Sequence, residues 1–152
     1  MVRSIVAVIA GVLVGGIVVG IVELPGMFFH PLPPEIKLSD AEALKNHAAK
    51  APFAAQLCVA LAWTLGPFVG SWLTAHVARK HFLAHGLIVG IIFLAADVFN
   101  LQSFPHPLWL SIVGVLAPLI SSWLGATIGA RTSSQPPSGP RPYDMRKKNM
   151  AC

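Results

Sequence analysis

The chain alternates between long apolar runs and short polar breaks. Uncharged or nearly uncharged stretches cover roughly residues 5–24, 52–77, 82–99 and 107–130. A helix needs about 20 apolar residues at about 1.5 Å each to cross the hydrocarbon core of a bilayer. Each run is long enough. Four such runs in 152 residues leave too little polar sequence to cover a water-soluble core. The pattern therefore predicts an all-α fold, a membrane four-helix bundle occupying residues 1–131. The first run is followed by Glu23-Leu24-Pro25-Gly26 rather than by a small-x-small cleavage site, so it is read as a retained span and not a secretory signal.

The breaks predict their own local structure. Pro25-Gly26 is expected to end the first helix, and His30-Pro31-Leu32-Pro33-Pro34 to run stiff and extended. Within this outer loop, residues 25–51, Ser39-Asp40-Ala41-Glu42 has the form of a capping box with Ser39 as the cap. A short helix from about Asp40 to Lys50 should follow, and Pro52 suits the first turn of the second span. Residues 132–152 are rich in Ser and Pro and then basic, which predicts a disordered basic tail beside the headgroups.

The second and fourth spans look like copies. Leu65, Pro67, Ser71, Trp72, Leu73 and Ala75 recur at one offset as Leu116, Pro118, Ser122, Trp123, Leu124 and Ala126. The first and third spans align more loosely, with Leu13, Gly16, Ile17 and Glu23 opposite Leu87, Gly90, Ile91 and Asp97. Together they suggest a duplicated two-helix hairpin. Because both hairpins enter from one side, this would be a parallel repeat about an axis along the membrane normal. Glycines spaced by four add a packing code, since two on one face let helix backbones approach closely. Gly16 with Gly20, Gly66 with Gly70, Gly86 with Gly90 and Gly125 with Gly129 are the expected packing positions, with Gly11 and Gly15 a further pair. Packing within one chain is the simplest use of these faces, and a homo-oligomer is the other.

Composition sharpens this picture. The chain is 55% hydrophobic and 11% charged, with a net charge of +5, whereas about a quarter of a soluble domain is charged. The positive balance does not point to nucleic acid, because the basic residues form no helix face and do not interleave with aromatics. They flank the spans instead. With four spans, both termini share a side with Arg3, Arg79, Lys80, Arg131, Arg141, Arg146, Lys147 and Lys148, while Lys37, Lys45 and Lys50 lie on the other; eight plus three gives all 11. Both termini are then expected in the cytoplasm of a multi-pass protein, in a bacterium its inner membrane. Cys58 and Cys152 form neither a disulfide framework nor a metal motif.

Chemistry has few places to sit. Polar groups inside spans are expensive and so are the first candidates for function. Glu23 and Asp97 are the only carboxylates at or within the spans, each seven residues past a glycine, Gly16 and Gly90. Seven residues is nearly two turns, so each acid shares its glycine's helix face. The repeat would bring both acids to one depth on the outer side, near Asn100 and His30 or His106, where they could share a proton or bind a cation. The competing reading leaves them hydrated at the interface as helix ends. His76, His81 and His85 cluster beside Arg79 and Lys80, and positive flanking charge accounts for them better than a metal does. Span hydroxyls have no base beside them, and no phosphate loop is present. No enzyme is expected, and neither metal nor other cofactor.

A Gly-rich first span ending in Glu23, the Pro31-Leu32-Pro33-Pro34 loop, and a second span running from Trp63 through Gly66 and Gly70 to Trp72 resemble small bacterial four-helix membrane proteins of no assigned activity. The resemblance implies a fold and a bacterial membrane, but no substrate and no catalytic residue. The expected role is an accessory or structural component that packs against itself or a larger membrane complex through its Gly faces. The alternative is a small oligomeric transporter or channel that uses Glu23 and Asp97.

Overall fold

A computed structural model describes residues 2–78 and 81–133. Five helices follow one another: α1 (Val2–Phe29), α2 (Ala41–Ala48), α3 (Phe53–Ala78), α4 (Phe82–Ser103) and α5 (Leu108–Ser133). All but α2 are long and apolar enough to cross a membrane. Even α4, the shortest of these at 22 residues, reaches beyond the roughly 30 Å hydrocarbon layer. The helical state follows from the solvent, because backbone N–H and C=O groups in lipid must be satisfied within the segment.

The expected breaks are only partly right. α1 runs through Pro25 to Phe29 and ends there rather than at Leu24. Proline removes one hydrogen bond, but in a spanning helix nothing outside competes for the remainder, so the turn beyond it is kept. Pro67 and Pro118 likewise lie inside α3 and α5. α4 extends past Phe99 to Ser103 and closes on the bond from Phe104 N–H to the Asn100 carbonyl. α5 continues through Ser133, two residues into the expected tail; the remaining tail, from residue 134, lies outside the described residues, as do Arg79 and Lys80. α2 is capped one residue later than expected. Asp40, not Ser39, accepts the Ala43 N–H at 3.0 Å. A carboxylate there also suits the helix dipole better than a hydroxyl.

Helix α3 is the centre of the bundle, with α1, α4 and α5 all packed on it. α1 crosses it antiparallel and glycine to glycine. A Cβ placed on Gly70 would lie 2.6 Å from the Gly11 carbonyl, and one on Gly15 would lie 2.7 Å from that of Gly66. Thr74 Oγ1 donates to the Ala7 carbonyl at 3.1 Å, and Arg3 Nε to that of Val77 at 2.9 Å, which tie the N-terminal end of α1 down. Gly86 and Gly90 seat α4 against Ala126 and Ser122 of α5, while Gly125 and Gly129 seat α5 against Phe68 and Trp72 of α3. Ser71 Oγ donates to the Gly86 carbonyl at 2.9 Å.

Gly16 and Gly20 are different. A Cβ on either meets nothing within 4 Å. Of the two glycine pairs on α1, Gly11 and Gly15 pack within the chain, in a buried stripe with Ala7, and Gly16 and Gly20 do not. The aligned hairpins also make unaligned contacts. α1 uses Gly66 and Gly70 of α3, whereas α4 uses Ser122 and Ala126 of α5, which align with Ser71 and Ala75 instead.

Candidate functional site

Because α1 leans on α3 and meets α4 only along a short stretch, a groove is left between α1 and α4 toward the C-terminal ends of both helices. Phe93 of α4 closes its inner end, with its ring against Gly15, where a Cβ would come within 2.8 Å of Cζ. Above Phe93 lies a cavity of about 240 Å³ lined by Gly16, Val19 and Glu23 of α1, Trp63 of α3, and Ala96, Asp97 and Asn100 of α4. Gly16 and Glu23 therefore share a face, as their spacing required. The acids of α1 and α4 and the Asn100 amide meet in one place.

Asp97 is 5% exposed, and its Oδ2 is buried with no hydrogen-bond partner among the described residues. Glu23 is half-buried, so the two acids are unequal in their access to water. A buried carboxylate is costly unless a proton or a cation neutralises it. Trp63, 3% exposed, forms part of the same wall. Its ring lies against Gly114 of α5 and makes a tilted contact with His106, whose ring centroid is 5.7 Å away at an interplanar angle of 49°.

Glu23 and Asn100 also line a second, outer cavity of about 380 Å³. The two spaces thus adjoin, with these side chains at the junction. His30, His47, Gln56 and His106 supply the polar groups of the outer cavity, and Met27, Val59, Phe104 and Leu110 much of its apolar wall. His30 and His47 stack with ring centroids 3.8 Å apart and planes 9° apart. One ring nitrogen of His30 also lies 3.0 Å from the His47 carbonyl. This pair fastens α2 to the end of α1. His106 is held by its Nδ1, 2.8 Å from the Phe104 carbonyl.

The sequence had pointed to Glu23, Asp97, Asn100, His30 and His106, and all five line these cavities. It missed His47, Gln56 and Trp63. The Pro-rich segment 31–34 separates α1 from α2, so nothing local says that His47 returns to His30. Trp63 carried a signal in the alignment of α3 with α5, where Trp72 was paired and Trp63 was left over. At the opposite end, His76 contacts Thr132 at 3.3 Å and stacks on Trp72, and His85 Nδ1 lies 2.8 Å from the His81 carbonyl. The described residues contain no cluster of three or more metal-ligating side chains.

Two carboxyl groups and an amide carbonyl, set among glycine, alanine, valine and two aromatic rings, give a small acidic cavity that attracts positive charge. Compared with known proteins, the chain matches no protein family, no curated protein and no solved structure, so its function is read from its own residues.

Proposed function

We propose that this multi-pass membrane protein is a small carrier or conduit for a cation, admitted from the outer cavity and bound between Glu23 and Asp97. One observation carries this reading: the buried Oδ2 of Asp97, without a hydrogen-bond partner, in a cavity that Glu23 shares. A side chain that merely ended a helix at the interface would be hydrated; this one is 5% exposed. The bias of basic residues puts both termini in the cytoplasm and the mouth of the cavity outside. No covalent step is needed, so the reading is of a non-enzyme. The test is flux of protons, rubidium and a small organic ammonium ion into proteoliposomes. The double variant Glu23→Gln/Asp97→Asn should abolish the flux of whichever cation is carried. Cation fluxes all indifferent to both substitutions would refute a transport role for the acids.

A second reading is favoured by α1. Most of its surface is exposed apolar side chain, and Gly16 and Gly20 stand open. An accessory subunit would use that edge against another helix, either a second copy or a component of a larger membrane complex. Gentle extraction from the native membrane, followed by weighing of the assembly and identification of every co-purifying chain, tests it. A chain that comes out alone and monomeric rules it out.

A further inference from the structure

We infer that the ligand of the Glu23–Asp97 cavity is an organic ammonium ion with an apolar body, its charge set at the two acids and its body against Trp63, Phe93 and the outer wall. This rests on the cation reading above and narrows it.

The charge of the ligand follows from the lining. Among the described residues no lysine or arginine lines either cavity and the histidines line only the outer one, so no basic side chain shares the inner cavity with Asp97, whose Oδ2 has no hydrogen-bond partner. The class of cation follows from what is missing around the acids. Hard metal ions take six or more oxygen ligands at short range, or keep several waters. Here two carboxyls and one amide are the side-chain oxygens of the inner cavity, and its other walls are glycine, alanine, valine and two aromatic rings. Stripping water from a small ion in such a place would go largely unrepaid. An alkylated ammonium ion holds its water loosely and brings carbon to the carbon walls. Aromatic rings attract such cations, most strongly Trp.

Size and access agree. The inner and outer cavities measure about 240 and 380 Å³ and share Glu23 and Asn100. Together they fall in the range of pockets that hold small organic molecules, which are mostly apolar with a few convergent polar groups. Glu23, half-buried at the junction, would meet the cation first, and Asp97 behind it would fix it. The roles are thus graded by exposure: Glu23 is the entry acid, Asp97 the seat, and Trp63 and Phe93 the selectors for carbon over water.

The experiment uses the full-length protein in nanodiscs of zwitterionic lipid, with radiolabelled benzyltrimethylammonium as the probe and equilibrium dialysis as the readout. Saturable binding is expected, displaced by excess unlabelled probe but not by equal concentrations of sodium or calcium. Glu23→Gln and Asp97→Asn should each weaken it at least tenfold. Phe93→Leu should weaken it by about three- to tenfold through loss of the ring. Trp63 is too buried for a drastic change, so Trp63→Phe serves there, with monodispersity and melting as controls for folding. Absence of saturable probe binding, with carboxylate-dependent flux of rubidium or protons intact, would overturn the ammonium inference and leave the cation reading standing. Probe binding that ignores both acid substitutions would overturn it as well. Loss of both binding and any carboxylate-dependent flux would bring down the two together.

Discussion

Glu23 of α1 and Asp97 of α4 line one cavity, the first half-exposed and the second 95% withdrawn from solvent, although two helices separate them along the chain. The asymmetry predicts opposite effects on stability and binding. Asp97 has lost its water and gained no partner for Oδ2, so its carboxylate is held at a cost. Asp97→Asn keeps the shape and removes the charge. It should raise stability in detergent by roughly 1 kcal/mol while reducing cation affinity at least tenfold. Thermal melting and binding on the same sample check this. A lower melting temperature with binding retained would make the carboxylate structural.

The glycines divide into two classes with different predicted responses. Gly70→Ala puts a methyl 2.6 Å from the Gly11 carbonyl. Backbone cannot give way as a side chain can, so α1 should lift from α3 at a cost of about 1–3 kcal/mol. Gly20→Ala meets nothing, and alanine is the better helix former, so stability should hold or rise slightly. Detergent melting separates the two. If Gly20→Leu also disperses a native assembly without lowering the melting temperature of the isolated chain, the open edge of α1 is where a partner sits.

How much of this was legible beforehand depends on whether a feature is local. Span number and approximate ends follow from hydropathy, because the length of an apolar run is a property of the run itself. Glu23 and Asp97 stood out in advance as the only carboxylates of the spans, with hydration at the interface as the competing reading, while the cavity they share comes from the way α1 and α4 are packed. Three things were not legible. Pro25 was read by its behaviour in water, where it ends helices; in lipid the helix passes through it. α1 offered two glycine pairs, and which of them would pack within the chain, Gly11 with Gly15 rather than Gly16 with Gly20, was not readable. A choice between faces one residue apart depends on the partner helix, which the α1 sequence does not contain. The contact of His47 with His30 depends on the path of a loop, and local propensities do not encode where α2 lands.

That contact makes its own prediction. The stack of His30 on His47, with the ring-to-carbonyl contact at 3.0 Å, is what fixes α2 beside the outer cavity. α2 has no buried residue of its own. His30→Ala should therefore loosen α2 by about 1 kcal/mol, seen as several-fold faster amide hydrogen exchange in residues 41–48. Exchange in α3 and α5 should be unchanged. Uniform acceleration across all helices would show instead that His30 supports the whole bundle.

Orientation is the last expectation. Eight of the 11 Lys and Arg residues fall on the side of the termini, and Lys and Arg are retained on the cytoplasmic side of short loops. The prediction is best read with single cysteines in a chain carrying Cys58→Ala and Cys152→Ala. Glu42, exposed in the first turn of α2, and Thr132, exposed in the last turn of α5, sit at opposite ends of the bundle. Glu42→Cys should react with a membrane-impermeant maleimide on intact cells. Thr132→Cys should react only after permeabilisation. The reverse pattern would turn the cavity toward the cytoplasm. Glu23 would then meet its cation from within.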